Sequence, residues 1–318
     1  MAYKKVRLNH ISLKALESGR TYDYPIYYKN KENIFKVLIA IDTSFTNETE
    51  EKIETLNIRD VYVLTKNHKQ YEKDTQEYLS KLIYDDKITN KLKSQIIHEM
   101  ASDTINELFL GELNTDKIER SSELVNDTIN LILNDKSAVK AMLGVTSYDY
   151  YTYTHCVNVS IYAVGFAAYL NLDKKDIYTI GMAAILHDIG KKDIPNEIVN
   201  KNGKLTDDEF KTMQNHPSYG VKILKALGET DKLMLDIIEQ HHEKLDGSGY
   251  PYGLKDKEIH LFSQIITIAD IFDALTTKRS YKDALNSYRA LVIMESQMTK
   301  ELNKKLFKKF INFMNEKI

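Results

Sequence analysis

The side chains best suited to chemistry in this sequence are histidines and acids placed where helical patterns end. His187 and Asp188 stand side by side in the run His187-Asp188-Ile189-Gly190-Lys191, where a helix runs out into a glycine. Imidazole and carboxylate together suit a borderline divalent cation such as Fe(II), Mn(II) or Zn(II), and a carboxylate can bridge two of them. An adjacent His and Asp is also an ordinary way to finish a helix, so the pair gains meaning only from its company. That company is His155, His216, His241, His242 and Asp270, each at a helix end or on an otherwise apolar face. Asp270 lies among Ile265, Ile266, Ile268, Ile271 and Phe272, where an unpaired carboxylate would be costly and a cation would remove the cost. His241 and His242 point in different directions from a helix end. Both reach one cluster only if two cations lie beside it, or if one histidine supports the other.

Several helices must deliver these groups. The segment from Tyr150 to Leu170 reads as one helix with His155, Val159, Ala163 and Phe166 at roughly one-turn intervals, aiming His155 at the core. The pattern from Asp176 to Leu186 buries Ile177, Ile180 and Ala184 and delivers His187 and Asp188 at its end. Ile194-Pro195 breaks the helix, Asn202-Gly203-Lys204 makes a turn, and Thr206 with Glu209 forms a capping box. The helix so opened ends at His216-Pro217, because proline disfavours helical geometry in the residue before it. Another runs from Asp231 to His241-His242-Glu243. His260 opens the next and takes no part in the ligand set. Beyond Ser287 two helices close the chain, with Lys304, Lys305, Lys308 and Lys309 on a solvated face.

Upstream, Ile26-Tyr27-Tyr28 and the run Phe35 to Ile41 flank a polar turn and suggest a hairpin. Asn47 and Glu50, at capping spacing, open a short helix through Ile53 and Leu56, and Val61 to Leu64 reads as a strand. Asp42, at a strand end, is a turn residue rather than a phosphate acceptor, since the segment lacks an acidic pair and repeated βα units. His10, His68 and His98 read as surface residues. Residues 86–137 carry Ile96, Ile97, Met100, Ile105 and Leu108, then Val125, Ile129 and Ile132, at helical spacing. These helices either cover the following domain or form a dimer seam. The expectation is an α+β protein: a small α/β regulatory or partner-binding domain (1–85), a helical linker (86–137) and an all-α domain (138–318).

At 318 residues the chain can bury two cores, and a net charge of −2 gives no general reason to expect a nucleic-acid polymer or an anionic membrane as partner. The single Cys156 excludes an internal disulfide and a cysteine-based zinc site. No apolar signal core follows Met1, and the apolar stretch around Ile161 to Leu170 is too short to span a bilayer. The expectation is a cytoplasmic protein without membrane insertion.

The ordered series His155, His187-Asp188, His216, His241-His242 and Asp270, with the motifs HDIGK, HHEKLDGSGYP and ADIFDALTTKRSYK, resembles the HD-GYP subgroup of the HD phosphohydrolase superfamily from about residue 140 onward. The resemblance implies an HD-type helical domain that hydrolyses cyclic di-GMP to pGpG and in many members on to GMP. It implies His155, His187, Asp188, His216, His241, His242 and Asp270 as metal ligands, with Asp188 as bridge. Members that hold a third metal have glutamate one turn before the first histidine; Tyr151 stands there, so two divalent ions, iron or manganese, are expected. A pair of cations activates water and neutralises phosphate charge, so no side-chain nucleophile is needed. By the same resemblance Lys191 faces the phosphate or leaving group, with a solvated helix-end lysine as the alternative. Arg279 and Lys282 bind substrate, and Arg offers phosphate two donors where Lys offers a point charge. Asp273 orients water or a cationic side chain, or is a plain helix-surface acid. Tyr250, within Gly247-Ser248-Gly249-Tyr250-Pro251, either belongs to a structural turn or helps position substrate and meet diguanylate-cyclase domains. A homodimer is compatible with the sequence. The competing expectations are an adaptor that binds cyclic di-GMP without useful turnover, and a phosphodiesterase for another cyclic dinucleotide.

Overall fold

The computed structural model describes residues 7–111, 113–146, 152–278 and 284–317. The chain divides into two compact units, 1–100 and 101–318. In the first, β1 (Leu8–Ile11), β2 (Thr21–Tyr22), β3 (Ile26–Lys29), β4 (Phe35–Ile39) and β5 (Thr43–Ser44) precede α1 (Asn47–Thr55), β6 (Val61–Leu64) and α2 (His68–Ile83). Four strands pair antiparallel in the order β1-β6-β3-β4, while β2 and β5 pair separately. The expected hairpin is β3–β4, with Ile26 opposite Ile39 and Lys29 opposite Phe35. Alternation sends Ile26, Val61 and Val63 to one face, where they meet Ile11, Tyr22, Tyr24 and Ile39 in a buried cluster. Asp42 is a turn residue with φ 56°, a left-handed conformation that aspartate tolerates through its short polar side chain.

Three local expectations need correction. The residue preceding α1 is Thr46, not Asn47, and its side chain makes no capping bond. His68 is not a plain surface residue but partly buried, 3.0 Å from Glu72 one helical turn on. His98 is buried as well, because α3 (Asn90–Leu110) is covered around most of its circumference: Lys93, Ser94, Ile96, Ile97 and Met100 are buried too. The division between the two units falls within α3.

The second unit continues with α4 (Thr115–Asn134), α5 (Lys136–Leu143), α6 (Thr152–Tyr169) and α7 (Lys174–Leu186). A 3-10 turn (Ile189–Asp193), α8 (Asn196–Val199), α9 (Asp207–Met213), α10 (His216–Ala226), α11 (Lys232–Gln240), α12 (Leu261–Thr276), α13 (Ser287–Gln297) and α14 (Lys304–Lys317) follow. Capping sets many of these limits. Asp173, Asp231 and Asn286 accept backbone N–H bonds at the starts of α7, α11 and α13, and Thr206 with Glu209 makes the expected capping box on α9. Pro217 does not end α9's helix but sits in the first turn of α10, where its missing N–H costs nothing.

α6 is buried almost throughout, as an apolar helix without a polar stripe must be. It folds back on α7 through Asn171 at φ 57°. Phe166 of α6, Phe272 of α12 and Phe310 of α14 meet edge to face, with Phe310 5.1 Å from Phe166 and 5.4 Å from Phe272. That core fixes α6 against α12, the two helices that carry His155 and Asp270. Among the described residues no helix is long and apolar enough to cross a membrane.

Candidate metal centre

Three histidines stand at helix limits. His187 closes α7, His241 closes α11 and His216 opens α10. Each donates its Nδ1 proton to the backbone carbonyl three residues earlier: His187 to Ala184 at 2.6 Å, His216 to Met213 at 2.8 Å and His241 to Ile238 at 2.6 Å. For α7 and α11 those carbonyls belong to a final turn that lacks intrahelical partners, so the imidazole satisfies an orphan acceptor while its own orientation is fixed. A proton held on Nδ1 leaves Nε2 with a lone pair, the form in which neutral imidazole binds a metal.

Those Nε2 atoms converge on Asp188, whose side chain is 1% exposed: His216 lies 3.2 Å from Oδ1 and His187 3.5 Å from Oδ2. His155, in the first turn of α6, places Nε2 3.9 Å from Asp188 and 3.1 Å from Asp270, and His242 places Nδ1 3.7 Å from Asp270. All seven residues expected as ligands therefore come together. Two overlapping donor groups can be drawn, Asp188 with His216, His241 and His242, and Asp188 with His155 and His187; the donor atoms of each lie within 4.8 Å of one another. Asp188 belongs to both.

Gly190 makes the convergence possible. A Cβ there would stand 1.9 Å from the His216 carbonyl oxygen and 2.3 Å from the Gly220 nitrogen, so only glycine lets the turn after Asp188 lie against the start of α10.

Two features fit a divalent cation. His216 Nε2 and His241 Nε2 face each other at 3.3 Å although both rings give their proton to backbone through Nδ1. Asp188 Oδ1 is buried without a hydrogen-bond partner among the described residues. Lone pairs so opposed repel, and a buried carboxylate oxygen left unpaired is costly; a cation between them answers both. The protonation states agree. Burial would raise the Asp188 carboxyl, but the Lys191 ammonium beside it holds it well below the usual carboxylate range. Burial likewise opposes ionisation of Asp270, yet His155, by hydrogen bond and charge, keeps it low. Burial lowers His216 against the pull of Asp188, and lowers His241 with help from its histidine neighbours, so both are neutral donors. The His/Asp cluster is compatible with a divalent-metal site.

Lys191 reaches Asp188 Oδ2 at 2.5 Å. Asp273 is no helix-surface acid: it is buried behind His155, accepting from His155 Nδ1 at 2.7 Å, Asn158 Nδ2 at 2.9 Å and Thr277 Oγ1 at 3.0 Å. Its place is set by one helical turn: Asp270 meets the cluster while Asp273, on the same face of α12, orients the imidazole from outside. Replacement by asparagine turns an acceptor pair into one acceptor and one donor, so Asp273→Asn is expected to weaken metal binding about 10- to 100-fold. Metal titration of the purified variant checks this, and wild-type affinity would remove Asp273 from that role. Asn158 and Thr277 escaped the sequence reading, although a buried Asn three residues after His155 was a usable signal.

Glu243 was also missed. It is buried and accepts from the Tyr252 nitrogen at 2.7 Å and the Leu254 nitrogen at 2.9 Å. The Tyr250 nitrogen donates to the His242 carbonyl at 3.2 Å, and a Cβ on Gly249 would stand 2.5 Å from Glu243 Cα. The loop is thus tied to the end of α11, and the Tyr250 ring lies 4.7 Å from that of His242, tilted by 34°. His260 caps α12, accepting from the Phe262 nitrogen, as expected of a histidine outside the cluster. Arg279, Lys282 and Tyr151 lie outside the described residues.

Known proteins resemble this chain in the same region. The model of the HD domain family matches residues 122–306. A cyclic di-GMP phosphodiesterase of Pseudomonas aeruginosa is 36% identical over 171 residues, 54% of this chain and 41% of the relative. A cyclic di-GMP phosphodiesterase of Thermotoga maritima is 31% identical over 235 residues, 72% of this chain and 62% of the relative. A 3'3'-cGAMP-specific phosphodiesterase of Vibrio cholerae is 40% identical over 167 residues, 52% of this chain and 36% of the relative. The chain thus spans less than two thirds of the length of each. A solved HDG"Y"P protein from Bdellovibrio bacteriovorus shares the fold, with TM-score 0.72 over 97% of this chain and 100% of that one, at 20% identity.

Proposed function

Because this chain belongs to the HD domain family, we propose that it is a cytoplasmic metal-dependent phosphodiesterase that hydrolyses cyclic di-GMP to pGpG, and on to GMP if the linear product rebinds. The observation that carries the reading is the convergence of five imidazoles and two carboxylates from five helices and their ends on one buried point. We assign His155, His187, Asp188, His216, His241, His242 and Asp270 as ligands to two ions, iron or manganese, with Asp188 shared. A donor set of imidazole and carboxylate without thiolate suits either metal. When bound, such ions activate water and neutralise charge on a phosphodiester.

The remaining steps belong to the protein. The imidazoles supply the neutral donors, and Asp188 and Asp270 carry the negative charge that would balance the ions. Lys191, held 2.5 Å from Asp188, offers a cation beside the departing oxygen. Arg279 and Lys282 are assigned to the phosphates, and Tyr250 to the substrate side of the cluster. The fixed Nδ1 bonds mean that little reorganisation accompanies binding, which favours charge stabilisation by pre-set groups.

The test pairs metal analysis of anaerobically prepared protein with product identification after incubation with cyclic di-GMP and iron or manganese. Bound metal with formation of pGpG or GMP is the expected result. Metal and nucleotide binding without hydrolysis would favour an adaptor. The Vibrio relative named for 3'3'-cGAMP supports a second reading, a phosphodiesterase for that mixed dinucleotide. Parallel assays with cyclic GMP-AMP decide between them, the better substrate being the one with the higher kcat/KM.

A further inference from the structure

We propose that Phe210 is a stacking platform for one purine base of the substrate, a role that rests on reading the chain as a cyclic-dinucleotide phosphodiesterase. Phe210 lies on α9, two turns before His216, and its large apolar side chain is 47% exposed. Its ring meets that of Tyr250 at 6.2 Å and 84°, so the two do not stack on each other. Tyr250 in turn lies 4.7 Å from His242 and 6.2 Å from His216. A line of rings therefore leads outward from the metal cluster, and Phe210 is its exposed end.

A dinucleotide with one phosphate at the cluster must carry its bases outward, beyond the riboses. Every base has a π face, so an aromatic ring can bind it without reading its hydrogen-bonding edge. Such a platform accepts guanine and adenine alike. It would strengthen binding of cyclic di-GMP and cyclic GMP-AMP together and leave the choice between them to other groups.

The chain contains no tryptophan, which gives a direct test. Phe210→Trp introduces a single indole whose emission should fall on addition of cyclic di-GMP but not of ribose 5-phosphate, which lacks a base. Phe210→Ala and Phe210→Leu should each raise KM about tenfold, the scale of losing one base–aromatic stack, with kcat and metal content close to wild type and with KM recovered in the Trp variant. Leucine is the telling control, because it keeps apolar packing against Tyr250 and loses only the π face. Wild-type KM in both variants with no quench in the Trp variant would overturn the proposal. So would lost metal or kcat at unchanged KM, which would make Phe210 a brace for the loop. If the metal-loaded wild type cleaves neither dinucleotide, the phosphodiesterase reading fails, while the fluorescence response still decides the platform.

Discussion

Asp188→Ala is expected to abolish turnover and strip metal from the protein. Asp188 is the member common to both donor groups, so its loss removes a ligand from each at once. Changing a group that only orients a ligand costs 10–100-fold in affinity or activity, and removing the shared ligand should exceed about a hundredfold. The substitution also removes the carboxylate that Lys191 meets at 2.5 Å and the anion that would balance bound cations. Asp188→Asn separates these effects, since it keeps the volume and a carbonyl oxygen but not the charge. Metal content by elemental analysis, activity under matched metal supply and a thermal melt together check the prediction. Near-wild-type activity in the alanine variant would remove Asp188 from the centre of the site.

Much of this was legible in the sequence because it depends on local rules. The α9 capping box, the α11 start at Asp231 and the hairpin between Ile26 and Ile39 follow from short-range chemistry and periodicity. The residues of the candidate site were legible for a different reason: titratable groups on apolar faces need partners, as Asp270 does amid isoleucines, and the resemblance of the ordered motifs to a known family supplied the full set. What the sequence did not yield is long-range. Asp273 and His155 are distant in the chain, so only the packing of α12 on α6 reveals that the aspartate orients the imidazole. Glu243 reads as the polar end of a helix until the loop returns and presents two backbone N–H groups to it. His98 failed because amphipathic spacing tells which face of a helix is apolar, not whether the other face is also covered. Thr46 displaced Asn47 at α1 by one residue, the scale on which helix ends are hard to place.

Removing metal is expected to lower both activity and thermal stability, and the stability change tests the site without assuming a substrate. Three imidazoles have their Nδ1 protons committed to backbone, and two of the resulting lone pairs face each other at 3.3 Å beside a buried carboxylate oxygen with no hydrogen-bond partner among the described residues. The apo arrangement is therefore strained electrostatically, and a cation that binds only the folded state adds its binding free energy to stability. At a free concentration one hundred times Kd this is about 2.7 kcal/mol per site. For a helical unit spanning residues 101–318 each kcal/mol moves the midpoint by roughly 2–4 °C, so one ion should raise Tm by about 5–11 °C. A chelator should reverse the shift and eliminate hydrolysis, and iron or manganese should restore both. The Asp188→Ala protein should show little of that shift. An equal metal-induced rise in wild type and variant would mean that the ion binds elsewhere, and no rise in either would leave the buried imidazoles as a structural cluster.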